Sequence, residues 1–294
     1  MCAQMLLSLK QTVPPIIEPI TLAQLKQHLR IDSGYTDDDA LLTALITGAR
    51  QYAENYTRRA FFNQTWVRTM DHFPTNYFIS ATVNPSLRRD WPYYAGLWWN
   101  LTIALPVARL LSVESVTYLD QTGAQQTLAL DDLYIDYNSE PARITPPPGG
   151  LWPFTEFYVP GSVAIAYTTG SFVTSVEESA TVPSSTPYTY TPLQGPVTAV
   201  TSATDGNGNV VSTSYSATTG NVTFNANVAG ETVTLNYYIA NAPQPICQAM
   251  LLLCGQWYEH KEASSMTNLY ETPFAVRALL DMYVVNVMDY DAVV

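Results

Sequence analysis

The chain has 294 residues, enough to bury a substantial core as one elaborated domain or two small ones. Hydrophobic residues make up 47% and charged residues only 13%, about half the usual share, and 20 tyrosines add the kind of surface a protein uses when packed among partners. A formal net charge of -12 argues against a protein that grips nucleic-acid phosphates, because such binding rests on clustered Lys and Arg that release counterions.

The charge is also unevenly spread. Between Arg143 and Lys261 there is no Lys or Arg, while Glu156, Glu177, Glu178, Asp205, Glu231 and Glu259 remain. Adjacent arginines occur at Arg58-Arg59 and Arg88-Arg89. Cys2, Cys247 and Cys254 show no CxxC or Cys/His spacing, so neither a zinc site nor a disulfide framework is expected. Cys247 and Cys254 fall on nearly one helical face and read as core. The N-terminal apolar run is too short, and lacks the basic start, for a secretory signal. No run of ~18 apolar residues suggests a membrane span, which leaves a cytosolic or virion protein as the expectation.

In chain order, "PITLAQLKQHLRI" opens with a helix start: Thr21 as N-cap, Gln24 closing a capping box, and Ile20 placed to staple onto Leu25. Leu22, Leu25 and Leu29 line one face. After "DSGY", Thr36 or Asp37 is expected to cap a second helix, with Asp37, Asp38 and Asp39 at its positive end. Leu41, Leu42, Leu45, Ile46, Ala49, Tyr52, Ala53 and Tyr56 then give an apolar stripe of about five turns, followed by Arg58 and Arg59 at the negative end. The two helices are expected to form a hairpin.

From residue 63 the period changes to strands in "QTWVRTMDHF", "LTIALP" and "VESVTYLD", with a hairpin turning at Gly123, a short strand in "YIDYNSEPARI" and a tightly packed strand in "GSVAIAYTTG". Trp91, Tyr93, Tyr94, Trp98 and Trp99 crowd one loop, which either folds onto its own domain or presses on a neighbour. Residues 171–190 read as a linker. The following Ser/Thr/Val/Asn/Gly stretch, with turn signals at Gly206, Gly208, Gly220 and Gly230, reads as an antiparallel insert. Helices return at "PQPICQAMLLLCGQWYEHKEA", with Ile246, Met250, Leu253 and Trp257 in a stripe, and at "TPFAVRALLDMYVV", with Ala275, Leu279 and Met282.

The expected fold class is therefore α+β: a helical core from the N- and C-terminal helices, antiparallel strands between them, and a β-rich insertion. The expected divisions are 1–62 (arm and helical hairpin), 63–170 (strands with the aromatic loop), 171–242 (β insertion) and 243–294 (C-terminal helices and tail).

Catalytic signatures such as GxGxxG, GxSxG and HExxH are missing from the sequence. Glu259, His260 and Glu262 read as a solvated helix end rather than a metal cluster. Asp131-Asp132 and Asp136 could be paired carboxylates of a glycosidase, but nothing in the spacing fixes their separation. A Tyr-rich β insert could also stack on sugars.

The stretch "EPITLAQLKQHLRIDSGYTDDDALLTALITGARQYAENYTRRAF" resembles the N-terminal signature of the tailed-phage head-tail connector family, also called adaptor or head-completion proteins. "IALPVARLLSVESVTYLDQTGAQQTL", "PARITPP", "VAIAYTTG", "ICQAMLLLCGQWYEHKEA" and "TPFAVRALLDMYVV" extend the resemblance, while the segments at 80–100 and 171–240 are longer than the family's pattern. The resemblance implies a non-enzymatic virion protein without cofactors, made in the host cytoplasm. It implies a ring, commonly of twelve subunits, beneath the portal, joined to other neck or tail proteins and continuing the DNA channel without sequence-specific binding or a membrane. The candidate interface residues are Arg58, Arg59, Trp91, Tyr93, Tyr94, Trp98, Trp99, Tyr283, Val284, Val285, Met288 and Tyr290. The alternative is a tail or decoration protein that binds host glycans through its β insert.

Overall fold

Hydrophobic spacing of 3.6 residues at both ends of the chain and of two between them sorts the protein into helices and antiparallel strands. The computed structural model describes residues 7–74, 101–155, 159–216, 219–260 and 274–285. In chain order the elements are β1 (Leu7–Val13), α1 (Leu22–Leu29), α2 (Asp39–Thr57), β2 (Gln64–Met70), β3 (Ile103–Leu105), β4 (Leu110–Leu119), β5 (Gln125–Leu128), β6 (Tyr134–Asp136), β7 (Ala142–Thr145) and β8 (Val163–Thr169). There follow β9 (Val173–Thr181), β10 (Thr189–Tyr190), β11 (Val197–Thr204), β12 (Thr213–Ser216), β13 (Asn221–Phe224), β14 (Thr232–Ala240), α3 (Gln244–Glu259) and α4 (Phe274–Asp281). The fold is α+β. Among the described residues no helix is long and apolar enough to cross a membrane.

The chain divides into two compact units. One runs from Pro14 to Asn63 and from Gly170 to Val284. Its helical core joins both ends of the chain, packing Leu25 of α1 and Leu42, Ile46, Ala49 and Ala53 of α2 with Ile246, Met250, Leu253 and Cys254 of α3 and Val276 and Leu280 of α4. Thr21 closes the expected capping box on α1: it accepts from the Gln24 N–H at 3.2 Å, and its own N–H donates to Gln24 Oε1 at 2.8 Å. Ile20 and Leu25 are both buried in this core, as the staple requires.

The same unit holds a small β-sandwich. Sheets of order β11-β14-β9 and β10-β13-β12 enclose Ala180, Val197, Ala203, Val222, Phe224, Val233, Leu235 and Tyr237. The exit of α2 ties into it, because the Ser171 and Phe172 N–H groups donate to the Ala60 and Phe61 carbonyls, each at 2.8 Å. The other unit, built on Gln64–Thr169 with β1, contains the five-stranded antiparallel sheet β1-β2-β8-β4-β5 and the three-stranded sheet β3-β7-β6. Its core includes Val116, Ile144, Val163, Ile165 and Tyr167, with Phe73 stacked on Trp152 at 4.7 Å between centroids.

Several expectations need correcting. Residues 171–190 are not a linker, since β9 pairs antiparallel with β14 from Val173 to Thr181. Ser, Thr and Glu fill most of this edge strand and Ala180 is its one fully buried residue, so backbone pairing rather than side-chain alternation makes it a strand. "YIDYNSEPARI" supplies two strands, β6 and β7, paired with each other.

The N-cap of α2 is Asp38 rather than Thr36 or Asp37; its carboxylate makes no capping hydrogen bond, and its Oδ2 accepts the Tyr258 hydroxyl at 2.6 Å. On α4 the buried residues are Val276 and Leu280, while Ala275 and Met282 are exposed. β1 was not anticipated. Its residues from Ser8 to Val13 are exposed on both faces apart from Gln11, so no period marks it.

Within the sandwich, Glu178 accepts hydrogen bonds from the hydroxyls of Tyr190 and Tyr237, the latter at 2.5 Å. Burial, and then the Glu178 carboxylate, push both phenols up to about 12. An unfolded tyrosine ionises near 10, so the folded state favours the neutral phenols. Their contribution is complete below roughly pH 10 and is lost as pH rises from about 10 to 12. The Tyr190→Phe/Tyr237→Phe variant is expected to show a flatter loss of stability across that window in denaturant titrations. An unchanged slope would contradict the assignment.

Candidate assembly surface

α2 carries three charged residues, Asp39, Arg50 and Glu54, and all three are turned to partners within the chain. Arg50, with its side chain 5% exposed, donates from Nε to Glu18 Oε2 at 2.8 Å and from Nη1 to Glu54 Oε2 at 2.6 Å. The second oxygens of both carboxylates are also used. Glu18 Oε1 accepts the Thr47 hydroxyl at 3.0 Å, and Glu54 Oε1 accepts the Phe61 N–H at 2.8 Å. One guanidinium thus fastens the chain entering α1, the body of α2 and the chain leaving α2.

At the other end of the hairpin the buried Lys26 Nζ lies 2.5 Å from Asp39 Oδ1, a charge contact without hydrogen-bond geometry, and donates its hydrogen bond to the Tyr35 carbonyl at 2.7 Å. Asp38 and Asp39 are therefore fasteners to α3 and α1. Among the described residues no group of His, Cys, Asp and Glu is placed to hold a metal ion.

The two candidate arginines at the end of α2 part ways. Arg59 is half-buried and its Nε donates to the Tyr283 carbonyl at 2.6 Å. Beside it the Tyr56 hydroxyl donates to Asp281 Oδ1 at 2.6 Å, so the end of α2 and the end of α4 are joined twice. Tyr283 also packs edge-on against Phe172, with centroids 5.7 Å apart.

Arg58 is exposed and occupies the left-handed region, with φ 57°, as the C-cap of α2. Arg30 does the same at the end of α1, also with φ 57°. Left-handed backbone costs a non-glycine residue ~1–2 kcal/mol, which glycine avoids, whereas a cation at a helix C-terminus recovers only about 0.3–1 kcal/mol. Arg30 was passed over in the sequence, although a helix stripe ending without a following Gly or Asn was a visible signal.

Val284 is half-buried and Val285 is buried. Trp91, Tyr93, Tyr94, Trp98, Trp99, Met288 and Tyr290 lie outside the described residues.

An open cleft of about 710 Å³ in the other unit is lined by Tyr134, Asp131, Asp136, Tyr137, Asn138 and Arg143, among others. Asp136 is committed there: its Oδ2 accepts from Arg143 Nη2 at 2.7 Å, and its Oδ1 from the Asn138 N–H at 3.0 Å. The Arg143 hydrogen bond leads the causes that hold this carboxyl down to about 2. Such a group is an anion at neutral pH and has no proton to give, so it does not suit the acid role in glycoside hydrolysis.

Residues 19–83 match the model of the phage gp6-like head-tail connector protein family. The resemblance is to the head-tail connectors. The connector match spans α1, α2 and β2; it includes Arg50, Glu54 and Phe61, and Glu18 lies immediately before it. Among solved structures, the fold is similar to a chain from the neck of an empty gene transfer agent particle computed with C6 symmetry. That likeness has a TM-score of 0.51 at 16% identity, over 94% of this chain and 95% of the other. A chain from the virion of a native gene transfer agent particle gives a TM-score of 0.48 at 17% identity, over 94% of each chain. No curated protein matches the sequence.

Replacing Arg50 by Met is expected to leave two carboxylates facing one another without their cation. The expected loss is about 3–5 kcal/mol of stability, as for other broken buried pairs, read from the denaturant midpoint. A loss below about 1 kcal/mol would show that the network is not essential to the hairpin.

Proposed function

We propose that the protein is a non-enzymatic head-tail adaptor of a virion neck. The observation that carries this reading is the connector-family match over the α1–α2 hairpin, the part of the chain fastened by Arg50. In the proposed arrangement, copies form a ring, commonly of twelve, beneath the portal. The ring joins the capsid vertex to other neck or tail proteins and continues the DNA channel.

The physical character of the chain supports this. A net charge of -12 lets DNA slide past a wall that repels it, where a basic wall would hold it through counterion release. Low charge content with many tyrosines suits a subunit that touches several proteins. Arg58, the Trp91–Trp99 stretch and the segment from Tyr283 through Met288 and Tyr290 are the proposed contact regions, while Arg59 already holds Tyr283 within its own chain. Synthesis in the host cytoplasm and assembly into the virion complete the proposal, with no membrane step and no cofactor.

Cryo-electron microscopy of purified particles tests it. Density for this chain is expected as a ring between portal and tail. Density at fibres or on the capsid exterior would overturn the adaptor reading and favour glycan binding through the β insert.

A further inference from the structure

We propose that the solvent face of α2, bracketed by Arg30 and Arg58, is the surface on which a second copy of this chain seats its acidic β-sandwich. The inference deepens the proposed ring and rests on it. Three observations meet here.

The first is the face itself. Asp39, Arg50 and Glu54 are spent internally, so the exposed positions of this 19-residue helix, which include Ala40, Leu41, Ala44, Gln51 and Asn55, carry no charge. A solvated helix normally displays charged residues on that side. A face without charge between charged ends has the composition of an interface centre inside its rim.

The second is the two arginines. Among the described residues of this unit, Lys26, Arg50 and Arg59 are engaged with the chain's own acids or carbonyls, and Arg277 also has an interaction. Among the described residues the side chains of Arg30 and Arg58 meet no partner, both are exposed, and both occupy backbone positions that glycine would fill more cheaply. Lys26 meets the start of α2 from α1, so Arg30 and Arg58 stand at opposite ends of a helix roughly 28 Å long.

The third is the complementary surface. β9 to β14 fall within the stretch that lacks Lys and Arg, and Glu177 and Glu231 are exposed on it. Cations on one face and acids on a different one make a head-to-tail contact, which closes into a ring when the rotation between copies permits. Such contacts gain orientation and partner choice from charge as well as affinity.

The test uses the full chain in sedimentation velocity over a concentration series, with the thermal midpoint measured alongside. Arg30→Gly/Arg58→Gly is expected to keep or raise the thermal midpoint, because glycine relieves the left-handed backbone, while weakening self-association by at least about tenfold. Glu177→Lys/Glu231→Lys is expected to weaken it similarly, and mixing that variant with Arg30→Glu/Arg58→Glu is expected to restore association between the two.

If the glycine variant associates like the unaltered chain, or the unaltered chain stays monomeric throughout the series, the inference is overturned. These outcomes are separable from failure of the adaptor reading. A chain present in the neck whose glycine variant builds the same ring rejects only the α2 contact, whereas absence of the unaltered chain from the neck rejects the adaptor itself.

Discussion

The hairpin depends on one buried guanidinium. Arg50 sits where three stretches of chain would otherwise be free to separate, and it satisfies a carboxylate on each side while those carboxylates hold Thr47 and the Phe61 N–H. A buried ion pair is usually a poor source of net stability, because desolvation offsets the attraction. Its value here lies in geometry. With both oxygens of each carboxylate occupied, the angle at which the chain enters α1 and the path by which it leaves α2 are set together. Phe61 and Phe172 then pack with their rings tilted and their centroids 5.3 Å apart, and the backbone bonds from Ser171 and Phe172 carry that fixed exit into the β-sandwich.

The same economy of charge shapes the surface. Most cations of the helical unit are consumed in holding it together, which leaves a helix face without charge and a sandwich with acids alone. A protein that solves its own fold with its few cations has little left to bind nucleic-acid phosphates. The two arginines left over stand at costly backbone positions, and such outliers are where a partner is worth seeking.

Much of this fold was legible because the signals are local. The Thr21 capping box, the apolar stripe of α2 and the turn at Gly123 each lie within a few residues, and each formed as expected except at Leu41, which the stripe included and the structure leaves exposed. What was not legible depends on distant partners. Glu18 lies 32 residues from Arg50, and Tyr283 lies 224 from Arg59, so a guanidinium that reads as helix-end electrostatics turns out to join two ends of the chain. β9 and β1 were missed for a related reason. Each owes its extended form to a neighbouring strand, β14 or β2, and little to the alternation of its own side chains. The (i, i+4) spacing of Arg50 and Glu54 was the one local hint of the network, and it could not have revealed Glu18.

Amide hydrogen exchange at Phe61 tests this account most directly, because its N–H bonds to Glu54 outside any helix or strand. Phe61 is expected to exchange in the same slow class as the core amides of α2, opening only when the hairpin unfolds as a whole. Rapid exchange of Phe61 while α2 remains protected would show that the chain leaves the helix freely, and that Arg50 does not set its path.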